Sequence, residues 1–278
     1  QLDAALDHQH PNPLHPPSSF RRDALISILN GVLGDHMSAR NNPMTTIMSF
    51  RQNGKPLELT RGSLAETIIP ISGKVLVMIH GHCMNESQWC RNGHNHGAEL
   101  SSAIGYSPIY LRYNSGLHIS ENGRALSDLL EDLVCNWPVP VEELCIFGYS
   151  MGGLVARSAF HYGEKADHSW LQHAHKLLLV GTPNHGSMLE RAGNVIDKAL
   201  EISPYSHALS RLGKIRSAGI TDLRHGNLID EDWAGQNRFA HATDQRHVSQ
   251  LPKGVKCYAI SAMIARKHSQ FHSRWVGD

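Results

Sequence analysis

The chain has 278 residues, a formal net charge of +1 and 41% hydrophobic residues. Near-neutral charge excludes a strongly basic nucleic-acid binder and an acidic disordered tail. No apolar run approaches the roughly 18 residues of a spanning helix, and the length suits one large α/β domain with a sizeable core.

Five cysteines, Cys83, Cys90, Cys135, Cys145 and Cys257, are too few and too scattered for a disulfide framework. The chain starts at Gln1 without a basic stretch followed by an apolar one, so no signal peptide is visible. Together these features predict a reducing, cytoplasmic setting. Residues 1–72 are expected to form an arm, a helix and a short β segment. Residues 73–278 are expected to form the main domain, with a lid-like insertion over 186–250.

Residues 1–19 read as an arm, because the four prolines from His8 to Pro17 block a continuous helix or central strand. From Phe20 to Leu33 the residues Ala24, Leu25, Ile28, Leu29 and Val32 recur at helical spacing, and Gly34 is placed to end that helix. Thr45–Phe50 and Thr67–Ile71 are β-like pieces around a turn at Asn53-Gly54. Val75–Ile79 is an unbroken apolar run, the pattern of a strand buried on both faces of a parallel sheet.

A polar, Gly-broken helical stretch is predicted from Asn85 to Ile104, closed by Gly105, and a strand over Pro108–Tyr113. Ala125, Leu126, Leu129, Leu130, Leu133, Val134 and Trp137 form one face of an amphipathic helix that Pro138 stops. Leu144–Tyr149 is a strand, Leu154–Tyr162 a helix, and Leu177–Val180 and Gly254–Met263 are strands. This alternation predicts a mostly parallel sheet with helices on both faces. The insertion is predicted to be helical near Asn194–Ile202 and His207–Ser217, with Tyr205, Leu209, Leu212 and Ile215 available for an apolar lid or for ordinary packing.

Gly148-Tyr149-Ser150-Met151-Gly152 is a G-x-S-x-G pentapeptide between a buried strand and an amphipathic helix. A strand turning sharply into a helix strains its turn residue and brings backbones together, so the flanking positions must lack side chains. The hydroxyl of Ser150 is then presented at the positive end of the helix. Acyl transfer also needs donors for the developing oxyanion. The backbone N–H of Met151 is one, and that of His82, in His80-Gly81-His82 directly after the first buried strand, is the natural second. The His80 side chain reads as a structural hydrogen-bonder.

Three segments together, Val75–Gly81, Gly148–Leu154 and Leu178–Gly186 with its Gly181-Thr182-Pro183, resemble the α/β-hydrolase superfamily. They are most similar to its bacterial serine esterase/lipase branch, which shares motifs with GPI-inositol deacylases and triacylglycerol lipases. The likeness covers roughly residues 74–278. Tyr149 departs from the His common in relatives, at a position that packs. The resemblance implies an α/β-hydrolase fold, C-terminally truncated, cleaving carboxylic esters through an acyl-enzyme on Ser150.

By resemblance the acid follows the strand after the insertion, within a Gly-Asp motif, and Gly277-Asp278 stands there. This makes Asp278 the triad acid and places the base beyond it. Both chain ends then read as cut, and a chain ending at Asp278 is expected to be nearly inactive for want of its histidine. A second assignment stays open within the chain: Asp230, Asp232, Asp244 or Glu190 as acid, and His247, His268 or His272 as base.

No cofactor and no metal is called for. Cys83, Cys90, His94 and His96 are zinc-type ligands, but their spacing matches no familiar closed site. Arg112–Gly116 follows a strand at its carboxyl end, where it can face substrate or merely turn. The expected partner is a small-molecule or lipid ester, with no nucleic acid and no membrane span. An acyltransferase using the same nucleophile, or a non-catalytic module keeping the fold, are the alternatives.

Overall fold

The buried strand predicted at Val75–Ile79 is the middle strand of the sheet. The computed structural model describes residues 17–184 apart from Asn92, 217–235, 247 and 249–261. The chain opens with helix α1 (Pro17–Ala39), then β1 (Ser49–Gln52), β2 (Lys55–Pro56), α2 (Arg61–Thr67) and β3 (Lys74–Ile79). There follow β4 (Cys90–Arg91), β5 (His94–Asn95), α3 (His96–Ile104), β6 (Ser107–Arg112) and α4 (Ile119–Asn136). Next come β7 (Glu143–Tyr149), α5 (Met151–Ala166), β8 (Ala174–Val180), α6 (Ala218–His225) and β9 (Lys256–Ile260).

Seven strands form one sheet in the order β2-β1-β6-β3-β7-β8-β9. From β6 to β9 all pairs are parallel, whereas β1 joins β6 antiparallel. In β3 the side chains of Val75, Val77 and Ile79 enter one core and those of Leu76 and Met78 enter the other. This is why the run is apolar without alternation. The larger core joins that face to Leu126, Leu130 and Leu133 of α4 and to Leu154, Val155 and Ala159 of α5. The smaller one gathers Leu76, Met78, Trp89, Tyr106, Tyr110 and Cys145, with Leu100 of α3 packed against it. Each fully buried Val, Leu, Ile or Met side chain among them contributes roughly 1.5–3 kcal/mol. All five cysteines are free thiols.

Several boundaries differ from the sequence expectation. Gly34 does not end α1, which runs to Ala39. A Cβ on Gly34 would lie 1.9 Å from Asn114 Oδ1, so this glycine serves close approach and not a left-handed cap. Thr67–Ile71 is not a strand. Thr60 caps α2 by accepting from Ser63 N–H, and Pro70 has no N–H to give a ladder.

The predicted β piece at Thr45–Phe50 narrows to β1, whose hairpin turns at Asn53 and Gly54 (φ +50° and +75°) as anticipated. The stretch from Asn85 to Ile104 is not one helix. A short 3₁₀ turn, Glu86–Trp89, leads into the β4–β5 hairpin around Gly93 (φ +76°), and only then does Asn95 cap α3. Gly105 does close that helix in the left-handed region.

Of the insertion, the helix predicted at Asn194–Ile202, almost all of His207–Ser217 and the lid residues lie outside the described residues. Ser217 begins a helix instead of ending one, since its side chain accepts from Ile220 N–H as the cap of α6. Among the described residues no helix is long and apolar enough to cross a membrane.

Candidate active site

β7 is central in the sheet and ends at its carboxyl edge, where the parallel strands β3, β6 and β8 also end. The chain turns there at Ser150, with φ +51° and ψ −123°, and enters α5 at Met151. That conformation is strained for a residue with a Cβ. Three close approaches hold the turn. A Cβ on Gly148 would lie 2.5 Å from Gly153 Cα, one on Gly152 would lie 2.5 Å from Ile79 O, and one on Gly153 would lie 2.1 Å from Thr182 Oγ1. The glycines flanking the serine are therefore demanded by packing, as the pentapeptide implied. Ser150 N–H donates to Val180 O at 2.8 Å, tying the elbow to the end of β8. Met151 is fully buried and its N–H belongs to the first turn of α5, whose N–H groups have no intrahelical acceptor.

The segment after β3 runs beside this turn. A Cβ on Gly81 would stand 3.3 Å from Ser150 Cβ and 3.2 Å from the Tyr149 ring. His80 is fully buried, its Nδ1 2.8 Å from Gly81 O and its Nε2 accepting from Tyr113 N–H. Its ring stacks on Tyr113 with centroids 4.3 Å apart. Burial pulls its pKa down to about 4, so it is a neutral structural imidazole, the role expected of it.

His82 lies one residue on. Its Nδ1 is 3.2 Å from Ser115 O and burial likewise lowers its pKa to about 4. A neutral ring donating from Nδ1 leaves Nε2 as an acceptor, and that atom is buried without a hydrogen-bond partner among the described residues. Cys83 follows in the left-handed region at φ +58°, its N–H donating to Ser115 Oγ at 3.0 Å. Burial pushes its thiol up to about 12.

The Arg112–Gly116 segment leaves β6 and turns, held by its own Asn114 and by neighbouring elements. Asn114 Oδ1 accepts from Gly116 N–H, Asn114 O accepts from Asn122 Nδ2, and Arg112 is engaged by Glu86 and Asp23.

Of the carboxylates and imidazoles proposed within the chain, Asp278, Asp244, Glu190, His268 and His272 lie outside the described residues. Asp230 pairs with Arg124. Asp232 Oδ1 accepts from the His247 N–H and lies 3.2 Å from its Nδ1, while Oδ2 accepts from Leu228 and Ile229 N–H. Ser158 Oγ donates to Leu228 O, which sets this pair beside α5 eight residues below Ser150, about 12 Å along the helix axis.

A further Asp–His pair, Asp222 with His118 at 2.9 Å, was not anticipated from sequence. Asp222 is fully buried and also accepts from Ile119 N–H and Asn227 Nδ2, so it ties α6 to the start of α4. Nothing local in the sequence signals a contact across that separation. No group of three His, Cys, Asp or Glu able to hold a metal is found among the described residues. The Cys83 thiol is turned onto Gly31, whose Cβ would lie 2.3 Å from Sγ.

A family model described as a PGAP1-like alpha/beta domain matches residues 70–255. No curated protein matches. Among solved structures, the chain is similar to a Bacillus licheniformis lipase in its mature form (19% identity, TM-score 0.41, covering 65% of this chain and 61% of the lipase). It is also similar to a lipase-esterase related protein of Clostridium acetobutylicum (15%, TM-score 0.32, covering 58% of this chain and 69% of that one). A third likeness is to an esterase of Rhizomucor miehei (15%, TM-score 0.36, covering 66% and 57%). The chain thus spans about three fifths of the Bacillus lipase's own length.

Proposed function

This chain belongs to the PGAP1-like α/β domain family and has the α/β-hydrolase fold, and from that premise we propose that it hydrolyses carboxylic esters at Ser150. What carries the reading is the left-handed backbone of Ser150 at a strand–helix elbow packed by three glycines. A serine held at a strained turn costs stability, and presenting its hydroxyl at the carboxyl edge of the sheet is the return on that cost.

In the proposed reaction Ser150 Oγ attacks the acyl carbon of a small-molecule or lipid ester. A histidine takes the hydroxyl proton and later returns it to the leaving alkoxide, and Asp278 orients that histidine. The N–H groups of Met151 and His82 hold the oxyanion. Each such donor is worth on the order of 10²–10³ in turnover. Water then attacks the acyl-enzyme, so no cofactor enters. The low pKa of His80 suits a scaffold role beside the site, because its Nε2 is already committed to Tyr113 N–H.

The test is hydrolysis of p-nitrophenyl butyrate by the full-length protein, together with labelling by a fluorophosphonate and peptide mapping of the adduct. The expected result is an adduct on Ser150 and loss of hydrolysis on the order of 10⁶-fold in Ser150→Ala. Hydrolysis that survives Ser150→Ala would overturn the assignment.

A further inference from the structure

We propose that α1, which lies outside residues 70–255 of the family match, is a positioning element of the site. It locks the turn at Cys83 and so aims the His82 N–H at the oxyanion. The inference rests on the hydrolase reading above for its catalytic consequence, but its structural basis is independent of it.

Cys83 is not a glycine, yet its φ is +58°. A left-handed residue with a side chain persists only where its surroundings over-determine it. Two sides do so here. From below, Ser115 Oγ accepts the Cys83 N–H at 3.0 Å. From above, the Cys83 side chain sits in a notch on α1, with its Sγ 4.0 Å from Ile28 O. The notch exists because residue 31 is glycine. A Cβ there would lie 2.3 Å from Sγ and 3.0 Å from Cys83 Cα. A glycine inside a helix weakens it, and α1 carries two, Gly31 and Gly34, where the sites below approach it most closely.

The residues after the turn are also tied to α1, directly or through Arg112. Asn85, almost fully buried, donates through Nδ2 to Ser27 Oγ at 3.0 Å, and Ser27 Oγ donates to Asp23 O. Glu86 receives Arg112, which also pairs with Asp23 of α1 at 2.9 Å. The 113–116 turn, whose Ser115 O meets the His82 ring, is itself held by Asn114 Nδ2 donating to Gly34 O at 3.1 Å. α6 braces the helix from outside, since Ser217 Oγ donates to Gly31 O at 2.7 Å. The segment bearing the His82 N–H is thus clamped between α1 and the 113–116 turn.

Gly31→Ala should drive the notch into Cys83 and tilt the His82 N–H away. An oxyanion contact acts mainly in the transition state, so kcat for p-nitrophenyl butyrate should fall at least tenfold with KM within twofold. Cys83→Ala removes the Sγ, so Gly31→Ala/Cys83→Ala should recover kcat to within about threefold of Cys83→Ala alone. A packing role confined to stability predicts a lower melting temperature without that split or that rescue. Unchanged kcat in a folded Gly31→Ala protein, or no rescue, overturns the proposal.

Hydrogen exchange separates this from failure of the hydrolase reading. Gly31→Ala should speed exchange of the 82–85 amides while β7 stays protected, whether or not Ser150→Ala abolishes hydrolysis, and unaltered exchange there overturns the proposal. If Gly31→Ala does not fold, Ser27→Ala removes the Asn85 hydrogen bond, together with the one Ser27 Oγ donates to Asp23 O within α1. It should show the same kinetic split and the same local exchange at smaller size, and absence of both overturns the proposal.

Discussion

Replacing Ser150 by glycine should make the protein more stable than replacing it by alanine, although both lose the hydroxyl. The serine stands at φ +51° and ψ −123°, a region that alanine enters only with strain and glycine enters freely. Relief of such strain is worth about 1–3 kcal/mol. Glycine also loses more backbone entropy on folding, which subtracts about 0.5–1 kcal/mol. The net expectation is that Ser150→Gly exceeds Ser150→Ala by about 1–2 kcal/mol. At roughly 2–4 °C per kcal/mol for a domain of this size, the melting temperature should differ by about 4 °C. Paired urea titrations and calorimetry of the two variants measure it. Equal stability, or a less stable glycine variant, would show that the elbow stores no strain and would remove the argument from geometry to function.

Gly152→Ala should cost about 1–3 kcal/mol, because its Cβ would meet two backbone carbonyls, Ile79 O at 2.5 Å and His80 O at 2.6 Å, which cannot rotate away. Gly153→Ala should be the milder change in the same unfolding assay, since its nearest neighbour is the Thr182 side chain. The buried His80 predicts acid sensitivity. With a native pKa near 4 against about 6.5 unfolded, the unfolded chain takes up a proton that the native state refuses. The stability tied to neutral His80 is whole above pH 6.5 and is lost progressively as pH falls to about 4, an upper figure of about 3 kcal/mol. The stability gap between the wild type and His80→Gln should therefore shrink by that order between pH 7 and pH 4, and a constant gap would contradict the assigned burial. Glu86→Ala should destabilise by about 1–3 kcal/mol, because the largely buried Arg51 and Arg112 would lose their shared carboxylate and Arg112 would keep only Asp23. Denaturant titration checks that value, and Glu86→Gln should be milder.

Much of the sheet was legible from one-dimensional pattern. Val75–Ile79, Pro108–Tyr113 and Leu144–Tyr149 each fall within one residue of the strands observed. An apolar run flanked by breakers has few other places to go than a buried parallel strand. The helix of Leu126, Leu130 and Leu133 was equally plain, because its period is 3.6 and its apolar face is continuous. Glycine was the least legible residue. Gly34 read as a stop and is a point of close approach, while Gly105 read as a stop and is one. The two uses share a letter and differ only in what lies opposite.

The sequence by itself determined the α/β alternation, the strand–turn–helix around Ser150 and the reading of His80 as a structural hydrogen-bonder. These follow from local spacing and from the steric demands of a single turn. Only the tertiary structure decided that α1 clamps the segment after β3, that Cys83 is left-handed, and that Asp222 reaches His118 and Asp232 reaches His247. Those facts depend on which distant surfaces meet when the sheet closes its cores. Side-chain contacts across such separations leave no periodic trace in the chain, because each is set by packing between elements and not by the pattern within one.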